Sequence, residues 1–213
     1  MGKRLGTGIP KALVKLAGKP LIRWSAEVLA GAESMDLIMA IAPAGYEEDF
    51  TEILAGISRP ILIITGGKAR TDSVRNGIEA LPRNCNIVGI HDAARPLVEI
   101  PDIDRVFRAA EEFGAAALAV PVADTLKLVE NDAIKKTVDR SGMWAVQTPQ
   151  VFRRELIEKA VADIPPGGSY TDTCSLVERL GKPIHVVCGS RNNIKITYPE
   201  DLELAEALIA RKI

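Results

Sequence analysis

Residues 60–81 read PILIITGGKARTDSVRNGIEAL and combine a strand and a helix in one short stretch. The apolar run at residues 60–65 has the length and composition of a buried strand. Gly66-Gly67 interrupts that run, and the spacing of the apolar residues then predicts a helix over residues 70–81. Because a strand that turns directly into a helix is the unit of α/β folds, the stretch predicts that strands and helices alternate along the chain.

The same unit recurs on both sides of this stretch. Near-continuous apolar strands separated by amphipathic helices indicate a parallel sheet covered on both faces. The predicted fold class is therefore α/β, with a doubly wound, mostly parallel, Rossmann-like sheet. Strands are predicted at residues 36–43, 60–65, 87–90, 115–122, 183–187 and 194–197, and helices at residues 21–31, 46–54, 70–81, 100–113, 153–162, 171–179 and 199–211.

One segment departs from the pattern. Residues 125–139 alternate polar and apolar side chains around Asn131-Asp132, which predicts a β-hairpin with its turn at that pair. A hairpin this polar is expected to project from the core. With 213 residues, the chain is expected to form one domain over residues 1–213, with a β-arm at about residues 125–147.

Composition narrows the range of partners and compartments. The chain has 27 Lys and Arg against 28 Asp and Glu, and a net charge of -1 gives no reason to expect a nucleic acid or a membrane. No apolar run approaches the ~18 residues of a membrane span, and no apolar signal region follows the basic residues at the start. Cys85, Cys174 and Cys188 are far apart and form no CxxC pair, which is typical of reduced thiols in the cytoplasm.

The strongest candidate for chemistry lies in residues 91–96, HDAARP, directly after the predicted strand at 87–90. Ligands of doubly wound sheets bind at the carboxyl ends of the strands, so Asp92 is well placed to hold Mg2+ or another divalent cation. Arg95 could approach the same phosphates or orient Asp92. Alternatively, the two residues form a pair that only fixes the loop. No role is assigned to His91, since a loop histidine is more often structural.

Further candidates are cations and glycines elsewhere in the chain. Gly2, Arg4 and Lys11 lie in a glycine-rich basic segment that could cradle an anion, although a frayed basic terminus has the same composition. Gly67 and Ser73 flank the start of the helix at 70–81, where backbone amides could bind a base or a phosphate, unless this is an ordinary strand-to-helix turn.

The sequence lacks two common catalytic motifs. It contains neither a G-x-x-x-x-G-K-[ST] phosphate loop nor a G-x-S-x-G nucleophile motif.

Lys195 is a further candidate. It alternates with Ile194 and Ile196, and its side chain therefore faces either solvent or the cleft. Scattered cations with a single carboxylate at a strand end suit phosphoryl chemistry that needs no covalent intermediate.

In their order along the chain, these segments resemble the 2-C-methyl-D-erythritol 4-phosphate cytidylyltransferase family of isoprenoid precursor synthesis. The resemblance runs through essentially the whole chain, and each motif is short while their joint order is specific. The motifs are Pro10-Lys11, Gly66-Gly67 with Arg70 and residues 72–74, residues 91–96, Asp124-Thr125, residues 138–140, Trp144 with residues 147–150, Thr171-Asp172 and residues 193–197.

The resemblance implies a role for each candidate residue and a homodimer in which the β-arm embraces a second subunit. Arg140 would then serve the partner's site, and the substrates would be CTP and a polyol phosphate. The implied roles are transition-state stabilisation for Arg4, Lys11 and Lys195, nucleotide binding for Gly2, Gly67 and Ser73, substrate binding for Arg95, Asp124, Thr125, Arg140 and Thr148, and Mg2+ binding for Asp92.

One departure and two alternatives accompany the resemblance. Family members open with an apolar strand that ends in Ala-Ala-Gly, whereas here Gly2 matches a later glycine, so we expect translation to begin upstream of Met1.

The nearest alternative activity is that of a ribitol 5-phosphate cytidylyltransferase. Arg140 within residues 138–142 moderately favours 2-C-methyl-D-erythritol 4-phosphate as the substrate. A non-catalytic nucleotide-binding protein is the second alternative. Calorimetry of CTP binding beside a turnover assay would distinguish it from the enzyme.

Overall fold

A computed structural model describes residues 8–164, 170 and 172–211 of the chain. Seven helices and ten strands lie in this part of the chain, and a short 3-10 turn at Lys11–Leu13 precedes them. The strands are β1 (Lys15–Leu16), β2 (Lys19–Pro20), β3 (Ile38–Ala42), β4 (Ile61–Thr65), β5 (Ile87–Ile90), β6 (Ala115–Pro121), β7 (Leu126–Glu130), β8 (Ala133–Val138), β9 (Trp144–Arg153) and β10 (His185–Cys188). The helices are α1 (Leu21–Ala30), α2 (Glu47–Leu54), α3 (Arg70–Glu79), α4 (Ile100–Phe113), α5 (Arg154–Ala162), α6 (Cys174–Glu178) and α7 (Pro199–Ala210).

The largest sheet has the order β10-β6-β9-β5. β10 runs parallel to β6, but β9 runs antiparallel to both β6 and β5. The expectation of a mostly parallel sheet is therefore wrong for the described residues, although the mixed α/β class is confirmed. The physical reason is β9, a strand that the apolar pattern does not reveal because buried polar residues interrupt it.

A second parallel pair, β3 with β4, forms its own two-stranded sheet. Residues of both β3 and β5 line a groove of about 830 Å³, and no described strand joins the two sheets. Helices α1 and α4 pack over this region and bury Ala26, Val106 and Phe107 against β3 and β6. The division of the sheet therefore leaves a cleft whose walls are the edges of two strands.

The apolar run of β6 is explained by burial. Along β6, every residue from 115 to 120 is buried, so both faces of the strand lie in the core. Buried Leu118 belongs to the cluster on one side of the sheet and Ala117 to the cluster on the other. A strand covered on both faces needs apolar side chains at successive positions, which is the pattern that the sequence shows.

The predicted hairpin is confirmed as β7 and β8. Asn131 and Asp132 form its turn with φ angles of 50° and 61°, the left-handed conformation that two-residue hairpin turns require. Most of its side chains are exposed, including the apolar side chains of Val129 and Ile134. The arm therefore projects from the core, as its polar alternation predicts.

Two other sequence predictions need correction. Residues 194–197 do not form a strand: Ile196 N–H donates to Ala94 O over 2.8 Å, but no ladder continues from this contact. The helix predicted at 171–179 is the short α6, because the Asp172 carboxylate accepts from Ser175 N–H and starts the helix late. Thr171 itself lies outside the described residues.

The three cysteines are free thiols. Burial raises the pKa of Cys85, and burial raises that of Cys174 to about 12, so both stay protonated at neutral pH. Within residues 8–164, 170 and 172–211, every helix is too short or too polar to span a bilayer.

Replacing Leu118 by Ala should lower the free energy of unfolding by about 2–5 kcal/mol, because the fully buried side chain leaves a cavity in β6. Urea denaturation measures the change. Leu204→Ala is the matched control, since the Leu204 side chain is 50% exposed on α7. Equal losses in the two variants would contradict the burial of β6 on both faces.

Candidate active site

The carboxylate of Asp92 lies two residues beyond the end of β5 and has a cation near each oxygen. Lys195 Nζ donates to Oδ2 over 2.6 Å, and an Arg70 guanidinium nitrogen is 3.9 Å from Oδ1. Burial raises the pKa of Asp92, but the hydrogen bond and charge of Lys195, with the charge of Arg70, lower it more. The net effect is a lowered pKa, so Asp92 is ionised at neutral pH.

A bulge in β9 fixes the backbone of Asp92. β6 and β9 change register between Ala117 and Ala119, where the three β9 residues 147–149 lie opposite Leu118 alone. Bulges re-aim side chains at the edges of functional sites. Here the bulge directs Thr148 towards the end of β5, where its hydroxyl accepts from Asp92 N–H over 3.0 Å.

Arg95 ties the loop after β5 to two other segments. Its guanidinium donates to the carbonyl of Asn193 over 2.7 Å and to the carbonyl of Val146 over 3.4 Å. Burial lowers the pKa of Arg95 below its usual value, while the charge of Asp92 raises it. These contacts hold the loop in place, and whether Arg95 binds phosphates or orients Asp92 stays a prediction.

The segment that carries Lys195 is anchored by amide side chains. Asn193 Nδ2 donates to Gln147 Oε1 over 3.1 Å and to the Thr148 carbonyl over 3.0 Å. Ile196 is fully buried, whereas the side chain of Lys195 is 44% exposed. Lys195 therefore faces the cleft, and the network below it determines where its ammonium lies.

The glycine turn between β4 and α3 is packed against its own helix. A Cβ on Gly67 would lie 2.1 Å from the Cβ of Asp72, and Gly67 N–H donates to Ser73 Oγ over 3.1 Å. Ser73 Oγ in turn donates to the Ala69 carbonyl. Close packing within the chain thus accounts for Gly67, whose proposed contact with a nucleotide stays a prediction.

Arg70 links this turn to the remaining parts of the site. Besides its contact with Asp92, its guanidinium is 3.4 Å from Thr173 Oγ1. The Gln150 side chain of β9 holds the same loop, since its Oε1 accepts from the N–H groups of Thr173 and Cys174. Buried polar residues of this kind carry no periodic signal, which is why the sequence does not single them out.

Lys11 starts the 3-10 turn whose next residue, Ala12, lines the same groove as Arg70, Ser73 and Asp92. Helix α1, which follows, donates from Ser25 Oγ to the Ala93 carbonyl over 3.0 Å. The N-terminal segment is thereby packed against the Asp92 loop.

The other predicted residues are placed differently. Gly2 and Arg4 lie outside the described residues. Asp124 and Thr125 are exposed where the hairpin begins, and Arg140 donates to the Ala123 carbonyl at the neck of the hairpin. Asp92 and Ser73 therefore line one groove, Lys195 and Thr148 contact Asp92, and the hairpin residues lie at the neck of the arm.

The donor set fits a magnesium ion that arrives with a nucleotide. The described residues contain no group of three or more His, Cys, Asp or Glu side chains able to hold a metal alone. Asp92 supplies one ionised carboxylate, and Mg2+ in nucleotide sites is commonly held by one or two carboxylates together with substrate phosphates.

Gly67→Ala should lower the free energy of unfolding by about 1–3 kcal/mol, because the new methyl group overlaps the Asp72 Cβ. Gly77→Ala in α3 is the control: its methyl group meets only the flexible end of Ile41 at 3.1 Å, and alanine favours the helix by up to about 1 kcal/mol. Urea denaturation compares the two variants. Equal stability would mean that the turn has room at Gly67.

Comparison with known proteins relates both the sequence and the structure to one family. The family model for 2-C-methyl-D-erythritol 4-phosphate cytidylyltransferase matches residues 1–211. Proteins of that name from Desulforamulus reducens and Geobacillus thermodenitrificans are 42% and 41% identical to the chain, covering all of it and 93% and 94% of their own lengths.

The crystal structure of the 2-C-methyl-D-erythritol 4-phosphate cytidylyltransferase from Thermus thermophilus is similar with a TM-score of 0.82. Its sequence is 34% identical, and the match covers 94% of each chain. Sequence and structure therefore agree, and this chain belongs to the 2-C-methyl-D-erythritol 4-phosphate cytidylyltransferase family.

Proposed function

We propose that this protein transfers CMP from CTP to 2-C-methyl-D-erythritol 4-phosphate and releases pyrophosphate. The observation that carries the proposal is the ionised Asp92 carboxylate between Lys195 and Arg70, in a cleft that Ser73 and the residue after Lys11 also line. A single carboxylate surrounded by cations suits a reaction between two anionic phosphates. Family membership supplies the identity of the two substrates.

The reaction needs charge neutralisation more than acid–base chemistry. A phosphate oxygen of the polyol phosphate attacks the α-phosphorus of CTP, and the bond to the bridging oxygen of the β-phosphate breaks. The nucleophile is already ionised at neutral pH, so no general base is required. The barrier comes from repulsion between the anions and from charge that develops around the α-phosphorus, which preorganised cations offset.

The residues divide this work between them. Asp92 would hold Mg2+, which when bound supplies positive charge beside the triphosphate. Lys195 lies at the open side of the cleft with a 44% exposed side chain, where an incoming phosphate can reach its ammonium. Lys11 and Arg4 are proposed to act on the triphosphate, and Gly2, Gly67 and Ser73 on the nucleoside side. Arg95 fixes the loop that presents Asp92.

The arm supports a dimer as the catalytic unit. Its exposed apolar residues Leu128, Val129 and Ile134 form a surface that a second subunit could cover. Arg140 at the neck of the arm is then proposed to serve the partner's site together with Asp124 and Thr125, whereas Thr148 belongs to the chain's own site.

The activity is tested by measuring pyrophosphate release from CTP with each of two acceptors, 2-C-methyl-D-erythritol 4-phosphate and ribitol 5-phosphate. Turnover with the first and not with the second is expected. Turnover with ribitol 5-phosphate alone would assign the sibling activity. Binding of CTP without turnover on either acceptor would identify a non-catalytic protein.

Lys11→Ala should lower kcat by about 10²–10³-fold, the loss typical of removing one preorganised charge-stabilising group. Steady-state kinetics with both substrates saturating measures the change. Lys15→Ala is the control, because Lys15 is an exposed lysine four residues further along the chain. An unchanged kcat in the Lys11 variant would remove Lys11 from the mechanism.

Arg140→Ala should chiefly raise the KM for the polyol phosphate, since the lost contact acts on the ground state and the transition state alike. Arg108→Ala, which removes an exposed arginine from α4, is the control. If Arg140 serves the partner's site, an equal mixture of re-equilibrated Lys11→Ala and Arg140→Ala subunits, assayed with polyol phosphate far below the KM of the Arg140 variant, should regain about a quarter of the wild-type activity, because half of the dimers then contain one intact site. No recovery on mixing would place Arg140 in its own subunit's site.

A further inference from the structure

A buried carboxylate of α4 holds the loop that follows β10. Asp102 lies in the first turn of the helix, and only 6% of the residue is exposed. Its Oδ2 accepts from Ser190 N–H over 3.1 Å, and its Oδ1 pairs with the Arg105 guanidinium. Burying a carboxylate is unfavourable unless hydrogen bonds and a cation compensate it, and these two contacts supply both. Asp102 therefore joins α4 to a loop that lies 88 residues further along the chain.

Arg105 strengthens the same connection. Its Nη2 donates both to Asp102 Oδ1 and to the Cys188 carbonyl, the latter over 2.9 Å. Cys188 is the last residue of β10, so α4 holds the chain where the strand ends and again two residues later. Because the side chain of Arg105 is 50% exposed, solvent screens its ion pair, and we expect the hydrogen bond to Ser190 to be the more important contact of Asp102.

The loop after β10 extends this connection to the segment that carries Lys195. The Ser190 carbonyl accepts from Gln147 Nε2 over 2.9 Å and from Asn193 N–H over 3.1 Å. Asn193 is fully buried, and its own side chain also donates to Gln147. Ser190 is thus bonded through its N–H to α4 and through its carbonyl to β9 and to Asn193, which precedes Lys195 by two residues.

Close packing leaves this segment little freedom to adjust. A Cβ on Gly189 would lie 2.7 Å from Gln147 Oε1, so the start of the loop lies directly against β9. Beyond the loop, Ile196 is fully buried. A shift at the start of the loop therefore reaches Lys195, whose ammonium donates to the Asp92 carboxylate over 2.6 Å.

We propose that Asp102 is a positioning residue for Lys195, and that it acts through the Ser190 backbone and the contact between Gln147 and Asn193. The inference rests on the proposed function for its catalytic consequence, whereas the connection between α4 and the Lys195 segment does not depend on any substrate. It extends the residues on which turnover depends from the cleft to α4.

The first test measures hydrogen exchange of the Ser190 amide by NMR in the full chain without substrate. Asp102→Ala removes the acceptor and should speed that exchange by about 10–100-fold relative to the Ala116 amide of β6, which reports global opening. An unchanged ratio overturns the proposal. In the wild type, the Ser190 amide should exchange at least about tenfold more slowly than an unprotected amide. Lack of this protection overturns the proposal even if Asp102→Ala does not fold.

Asp104→Ala is the matched control on the same helix. Asp104 Oδ1 accepts from Ser34 N–H over 3.0 Å, so this carboxylate holds the loop that leads into β3. The variant should speed exchange at Ser34 and leave the ratio of Ser190 to Ala116 near that of the wild type. Equal acceleration of Ser190 exchange in the two variants would show a general loosening of α4 and overturn the proposal.

Asp102→Asn separates the hydrogen bond from the charge. The amide oxygen can still accept from Ser190 N–H, while the half-exposed Arg105 can turn towards solvent. We expect the exchange ratio of Ser190 to stay within about threefold of the wild type, because the hydrogen bond is kept. A loss as large as that in Asp102→Ala would assign the effect to the ion pair with Arg105 and overturn the route through Ser190.

Kinetics tests whether Asp102 acts through Lys195. Asp102→Ala should lower kcat by about 10–100-fold and change the KM values of CTP and the polyol phosphate by less than about twofold, because misplacing a charge-stabilising group chiefly affects turnover. Asp104→Ala should keep kcat within about twofold of the wild type. In a Lys195→Ala background, Asp102→Ala should lower kcat by less than a further threefold or so, since the group that it positions is already absent.

Equal losses from Asp102→Ala in the two backgrounds would show that Asp102 acts independently of Lys195 and overturn the proposal. Absence of turnover in the wild type would instead refute the proposed function, and the exchange experiment would still decide whether Asp102 holds the Lys195 segment.

Discussion

A bulge in β9 is the constraint on which the site depends. The strand lies between β5 and β6 in the antiparallel sense, and its residues 147–149 lie opposite a single residue of β6, so they cannot follow the ladder. Gln147 and Thr148 therefore direct their polar groups to the segments of Asn193 and Asp92. Without the bulge these polar side chains would be buried without partners, at a cost of about 1–3 kcal/mol for each unsatisfied group.

The charges of the cleft support one another through Asp92. Lys195 and Arg70 would repel each other if the carboxylate between them were neutral, and the carboxylate would be protonated more readily without them. A cluster of this kind is stable before any ligand binds. It also fixes the approximate positions of the cations, so little reorganisation is needed when anionic phosphates enter.

The sequence predicts the parts of the fold where one physical effect dominates. β6 is recognisable because burial on both faces demands apolar residues, and the turn at Asn131-Asp132 is recognisable because few residues adopt a left-handed conformation. β9 is not recognisable, since its buried residues include Gln147, Thr148 and Gln150, which are satisfied by specific side-chain contacts. Hydrogen bonds of this kind depend on three-dimensional neighbours and leave no periodic pattern.

The site residues divide in the same way. Position after a strand identifies Asp92, and alternation places Lys195 opposite the buried Ile196. The contacts of Arg70 and Arg95 emerge only from the structure, because they join distant segments; the carbonyl partners of Arg95 are about 50 and 100 residues away. A residue that works through another residue has no signal of its own in a single sequence.

The contact between Arg70 and Asp92 links the two sheets at the site. Arg70 follows β4 and Asp92 follows β5, so their 3.9 Å contact joins loops that belong to different sheets. A displacement of α3 would therefore be transmitted to the Asp92 carboxylate through a side-chain contact, which couples the position of one sheet to the geometry at the end of the other.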